Sequence, residues 1–156
     1  MQMLLENLRK RGFIPHLFDT SEEAKEFFYK ELENVSIGMG GSVSVSQLKL
    51  YDLLSERNSV YSHSVDKSAD VLENAAMAEV YISGANAIAK TGEIVNIDGR
   101  GNRVSSVIWG AKRKRVYIVS GINKIVDNVN REYDLGIVVD CASRDRIGQN
   151  TSLFSK

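Results

Sequence analysis

The sequence predicts an α/β layered fold, a mostly parallel sheet flanked by helices. Three observations predict it. Helix-period and strand-period apolar patterns alternate at short spacing along the 156 residues, as they do in layered α/β domains. Nine of the 12 glycines lie between Gly38 and Gly121, mostly where a strand pattern ends. Nothing divides the chain, because Pro15 is its one proline and no Ser/Gly-rich or low-complexity stretch marks a linker. The expectation is a single domain over 1–156, of a size that buries about two-thirds of its unfolded surface without a disulfide or metal staple.

Each element has its own signal. Leu4, Leu5 and Leu8 form a helical stripe. Residues 13–18 read as a strand, with Pro15 placing it at a sheet edge. Thr20 or Ser21 followed by Glu22 and Glu23 starts a helix whose apolar face is Ala24, Phe27, Phe28 and Leu32. Residues 35–39 form a short strand running into Gly40 and Gly41. A helix over about 44–56 follows, with Val45, Leu48 and Leu54 toward the core. Then come a weaker strand at 59–63, a small-residue helix over 66–78 and a strand at 79–83. Residues 87–89 and 94–97 make a hairpin turned at Lys90-Thr91-Gly92. A helix from Asn102 to about Trp109 leads into a buried strand at 115–120, and DLGIVVD at 134–140 has the pattern of another.

Composition excludes several function classes. Lys plus Arg is 20 and Asp plus Glu is 20, a formal net charge of zero. That argues against a protein built to coat nucleic acid or an anionic membrane. The basic run at 112–115 follows a helix end, where cations are favourable, and reads as solvated. One cysteine, Cys141, excludes an internal disulfide framework. No apolar run approaches the roughly 18 residues of a membrane span, and the N-terminus lacks a signal-peptide pattern, so a cytoplasmic location is expected. His16 and His63 stand apart with no ligand spacing around them, so no metal site is expected.

Three segments can carry chemistry. The loops at the carboxyl ends of parallel strands are where open α/β sheets bind ligands. In Gly38-Met39-Gly40-Gly41-Ser42, glycines uncover backbone N–H groups before a helix start, which suits a phosphate or carboxylate. The pattern is neither GxGxxG nor a P-loop. The second segment gathers Asn86, Asn96, Asp98, Asn102 and Arg103 around glycine turns. Singly, such residues satisfy turn backbones. Arg103 at a helix start opposes the helix dipole, costing on the order of a few tenths of a kcal/mol, which suggests an anionic partner. Glu93, beside the turn, is either a base or nucleophile or, the commoner role, a solvated turn residue. The third segment, Gly121-Ile122-Asn123-Lys124, places a loop cation past the last strand. Alone, Lys124 reads as a surface lysine.

GMGGSVS at 38–44, ISGANAI at 82–88, TGEIVNIDGRGNRV at 91–104 and VYIVSGINKIV at 116–126 together resemble the LUD-domain family. This is the family of lactate-utilisation protein C. The resemblance covers a motif-bearing core at about 35–126. It implies a fold of the sugar-phosphate isomerase, CoA-transferase and formyltetrahydrofolate cyclo-ligase type. It further implies a role in oxidising L-lactate to pyruvate beside iron–sulfur partner subunits. Gly40, Gly41, Ser42, Asn86, Asp98, Asn102, Arg103, Asn123 and Lys124 are site positions on this basis. Ala89 stands where relatives tend to carry a hydroxyl, and the tail over about 127–156 diverges, with Cys141 a remnant of a cysteine-rich segment.

Two functions follow, from different classes. One is a LUD-type subunit or accessory factor of lactate oxidation that binds a small anionic metabolite at the carboxyl end of the sheet. The alternative is a group-transfer or isomerase enzyme on a phosphorylated or carboxylated metabolite, with Glu93 or Asp98 as base and Arg103, Lys124 and the Gly40 and Gly41 amides holding charge. A structural protein without a small-molecule site is the third reading. No cofactor motif is visible, and a homodimer is expected from the small size and pairable strand edges.

Overall fold

A computed structural model describes residues 1–110 and 115–127. Their centre is a four-stranded, all-parallel sheet of order β2-β1-β3-β6, built from β1 (Ser36–Met39), β2 (Ser59–Ser62), β3 (Val80–Gly84) and β6 (Arg115–Val119). A three-stranded sheet of order β5-β4-β7 stands beside it. Its β4 (Ala87–Ala89) pairs antiparallel with β5 (Ile94–Val95) and parallel with β7 (Ile125–Val126). The expected α/β architecture with a mainly parallel sheet is therefore present.

The central strands alternate between two faces, as a period of two demands. Ile37, Met39, Val80 and Ile82 point into one core with Phe28, Leu32, Val45, Leu50 and Leu54. These come from α2 (Ser21–Glu31) and its end, α3 (Val43–Gln47) and α4 (Leu50–Ser55). The other face carries Gly38, Tyr81 and Ser83 beneath α5 (Val71–Met77) and α6 (Asn102–Gly110). Helix α5 sits so close that a Cβ at Gly38 would lie 2.1 Å from the Ala75 carbonyl oxygen. A second core joins α1 (Gln2–Lys10), through Leu4 and Leu8, to Ala85 and Ile88 of the small sheet.

Local chemistry sets the helix ends. The Thr20 hydroxyl accepts the Glu23 N–H while Glu23 reaches back to the Asp19 N–H, an N-terminal box for α2. At the end of α1, Gly12 adopts φ +86°, its N–H donates to Arg9 and the Phe13 N–H donates to Leu8. That is a Schellman closure, which needs the left-handed conformation glycine adopts freely.

Three expectations need correction. Residues 13–18 do not form an edge strand. The Schellman closure turns the chain away from the sheet, and the His16 and Phe18 rings pack tilted against Phe27 with centroids 4.6 and 5.4 Å away. The helix expected over 44–56 is two helices. At roughly 100° per residue, Val45 and Leu54 would lie about 180° apart on an unbroken helix. Lys49 resolves this by taking φ +50°, so Val45, Leu50 and Leu54 all reach one core. The helix expected from 66 begins at Val71. Before it, the Asp66 carboxylate binds the Ser68 N–H and hydroxyl at 2.8 and 2.9 Å, a local turn that competes with helix.

The proposed strand at 134–140, Cys141, the tail and most of the basic run lie outside the described residues. Among the described residues no helix is long and apolar enough to cross a membrane.

Candidate functional site

The four parallel strands bring the β1–α3 corner, His63 after β2, the β3–β4 loop and the segment after β6 to one edge. Arg103, in the first turn of α6, reaches across it. Its Nη1 donates to the Gly41 carbonyl oxygen at 3.1 Å, and its Nη2 donates to Asn86 Oδ1 at 3.1 Å and to the Ile97 carbonyl. Three loops distant in sequence are thereby tied by one cation. A guanidinium has five N–H donors, and two of these carry no hydrogen bond among the described residues. Its described partners are neutral oxygens rather than carboxylates.

Asp98 explains how an arginine is tolerated at a helix start. Its Oδ2 accepts the Arg103 and Val104 N–H groups at 2.7 and 2.9 Å, and its Oδ1 accepts the Arg100 N–H at 3.1 Å. The carboxylate thus closes the α6 N-terminus and places negative charge at the positive end of the helix. Burial pushes its pKa up, but hydrogen bonds from the backbone of Val104, Arg100, Arg103 and Gly101 prevail and hold it below the usual carboxylate range. The helix terminus is occupied by the chain's own carboxylate, so an external anion must be met by side chains.

The glycine corner differs from an open cradle of amides. The Gly40 N–H donates to the Ile82 carbonyl at 3.0 Å, and Gly41 presents its carbonyl to Arg103. The glycines are required for another reason, which is close packing. A Cβ at Gly40 would lie 2.9 Å from Arg103 Cγ and 3.1 Å from the Tyr81 hydroxyl. One at Gly84 would lie 2.1 Å from the Ser42 hydroxyl, which caps α3 by accepting the Val45 N–H.

Among the other expected site residues, Lys124 comes to this edge. It follows β6 in a 3₁₀ turn (Ile122–Lys124), and its Nζ donates to the Ala85 carbonyl at 2.8 Å. Asn123 folds back over Gly121. Asn86 Oδ1 also accepts the Ile97 N–H at 2.9 Å, which draws the chain away from the hairpin and ends β5 at Val95. Asn96 Oδ1 is buried without a hydrogen-bond partner among the described residues. Asn102 opens α6, and its carbonyl accepts the Ser105 hydroxyl at 3.1 Å. Glu93 stands apart from this group. It pairs with Arg11 of the α1 end and with the Thr91 hydroxyl, fastening α1 to the hairpin turn.

His63 was weighed in the sequence only as a metal ligand, yet it belongs to this edge. Its ring lies 3.5 Å from where a Cβ of Gly41 would stand, and its Nδ1 is buried without a partner among the described residues. Burial, then the cations Arg100 and Lys67, pull its pKa below the usual imidazole range, with Asp98 acting against them. Its place immediately after β2 was the available signal. Beneath, Tyr81 is raised mainly by burial and also by Asp98, while a hydrogen bond with Ser106 and the Arg103 charge act in the other direction. No group of three or more His, Cys, Asp or Glu among the described residues could hold a metal ion.

A family model described as LUD domain matches residues 1–153, well beyond the core that carries the motifs. No curated protein and no solved structure matches the chain.

Proposed function

Because the chain belongs to the LUD-domain family, a family associated with lactate utilisation, we propose that it is a subunit or accessory factor in the oxidation of L-lactate to pyruvate. In this reading it acts beside iron–sulfur partner subunits and binds a small anionic metabolite at the carboxyl end of the parallel sheet. One observation carries the reading. Among the described residues, Arg103 spans three loops there on neutral oxygens and keeps N–H donors beyond those bonds. Lys124, held on the Ala85 carbonyl, adds a second cation at the same edge. A cation in a half-buried setting is stabilised by an anion, and a guanidinium offers the paired donors that carboxylates and phosphates accept.

In this reading Asp98 is the group that holds Arg103 in place and Glu93 is an α1 fastener. The alternative, a group-transfer or isomerase enzyme on an anion of the same kind, needs a base beside the ligand. The backbone N–H groups on Asp98 hold its pKa down and make it a poor proton acceptor at neutral pH, and Glu93 is engaged by Arg11 away from this edge.

A thermal-shift panel tests the proposal, with L-lactate, pyruvate, phosphorylated sugars, CoA, folates and nucleotides. A ligand at about 100 times its dissociation constant adds roughly 2.7 kcal/mol of stability. A stabilising anion whose effect disappears in Arg103→Gln and weakens in Lys124→Gln is expected. Equal stabilisation of all three proteins would overturn the site.

A further inference from the structure

The geometry points to His63 as a further ligand-contacting side chain of this edge: a small oxyanion held by Arg103 also meets the His63 imidazole, and binds with uptake of a proton at that ring. The inference rests on the anion-site reading above and goes beyond it in naming a contact besides the two cations and a coupling to pH.

Gly41 is where the two groups meet. Arg103 Nη1 lies 3.1 Å from its carbonyl oxygen, and the His63 Cε1 and Nε2 atoms both lie 3.5 Å from the position of an absent Cβ. Gly41 thus touches both groups, its carbonyl taking the guanidinium and its bare Cα facing the imidazole edge. Two buried side-chain polar atoms among the described residues have no hydrogen-bond partner, His63 Nδ1 and Asn96 Oδ1. Asn96 immediately precedes Ile97, whose carbonyl and N–H bind Arg103 and Asn86 Oδ1. Unsatisfied buried polar atoms are uncommon and costly, and both here adjoin the residues that hold Arg103.

The charges that face the ring set the direction of the coupling. Arg100 and Lys67 are the cations that act on it and Asp98 is the anion, while Lys67 also donates from Nζ to the His63 carbonyl at 2.7 Å. Burial and the two cations pull the ring's pKa down against Asp98, which favours the neutral imidazole. An anion beside Arg103 reverses the balance, so the ring gains a proton as the anion arrives. By linkage the anion binds more tightly below the ring's midpoint than above it.

The chain has two histidines, so their ring C–H proton resonances can be followed through pH in the wild-type protein, with His63→Gln giving the assignment. His16, stacked with Phe18 and tilted against Phe27, is the internal control. The probes are sodium L-lactate, standing for a carboxylate, and sodium sulfate, standing for a phosphoryl group. Neither changes charge between pH 5 and 8.5, and sodium chloride balances ionic strength. An opposite charge within about 4–6 Å shifts a titrating group by about one pH unit or more. The expected result is therefore a rise of about one pH unit for His63 with one of the two anions and none for His16, with binding about tenfold tighter at pH 5 than at pH 8. Which salt produces it decides between the two ligand sources. Gly41→Ala, whose new methyl meets nothing closer than 3.5 Å, should fold normally and lose the response. If an anion perturbs the Gly41 and Arg103 amide signals while the His63 midpoint stays still, this inference falls and the anion site stands. If neither anion perturbs any resonance, both fall.

Discussion

Replacing Asp98 by alanine tests how the site is held together. The carboxylate receives three backbone N–H groups at 2.7, 2.9 and 3.1 Å and fixes the turn that aims Arg103. Loss of an N-terminal cap costs about 1 kcal/mol, and loss of a negative charge at a helix N-terminus costs about 0.3–1 kcal/mol more. With part of the third hydrogen bond added, Asp98→Ala should destabilise by about 2 kcal/mol, a fall in Tm of about 4–8 °C for a chain of this size. The pH dependence gives a sharper test. The folded-state pKa of Asp98 is lowered, so its contribution is fully present above the unfolded carboxylate value of about 3.9 and is lost as pH falls through the lower folded value. Melting curves of wild type and variant should therefore run parallel from pH 5 to 8 and converge toward pH 3 and below. Asp98→Asn, which keeps an acceptor oxygen and loses the charge, should fall between them with a gap from the variant that hardly changes with pH. A Tm for Asp98→Ala within 1 °C of wild type at pH 7, or a gap that persists into acid, would refute the reasoning.

Further substitutions probe the frame. Gly38→Ala forces a methyl to 2.1 Å from the Ala75 backbone oxygen, so α5 must move from the sheet; chemical denaturation should show a loss of about 3 kcal/mol. Asn58 binds the Val35 N–H and the Leu32 and Leu54 carbonyls at 3.0–3.1 Å. Asn58→Ala leaves those groups unmet and should lower Tm by about 5–10 °C. Glu93→Gln removes a pair whose side chains are 46% and 41% exposed. Stability should fall by less than about 1 kcal/mol, with anion binding unchanged in a titration; loss of binding would return Glu93 to the site.

The legible parts of this fold were those in which local pattern and packing agree. VYISG at β3 is buried throughout because it lies inside a parallel sheet with helices on its two faces, whereas RVYIV at β6, expected to be a buried strand, is only half-buried and exposed at Arg115. Thr20 and Glu23 marked the start of α2 through short-range hydrogen bonds alone. The misjudged parts depended on tertiary demands. Apolar residues 13–18 carry a strand's composition, but a Schellman turn and the Phe27 ring direct them over α2 instead. Lys49 breaks a helix because Val45 and Leu54 need the same core. In the site, the spacing of Asn86, Asp98 and Arg103 around glycines suggested a ligand edge, and these residues do assemble. Their roles were less visible: whether Asp98 receives a substrate proton or caps a helix depends on the direction of N–H groups five and six residues onward. His63 was missed because a lone histidine has meaning only once the strand before it is aligned with β1.

The most direct test of the central claim is calorimetric titration of L-lactate, or of the strongest anion from the panel, into the wild-type protein and Arg103→Gln at pH 6.5, with circular dichroism establishing equal folding. Removal of a charge-assisted contact costs about 1.5–3 kcal/mol, which is about 10- to 150-fold in affinity. The account predicts saturable binding to the wild type that weakens by that factor in the variant. Equal affinity in two equally folded proteins would contradict it.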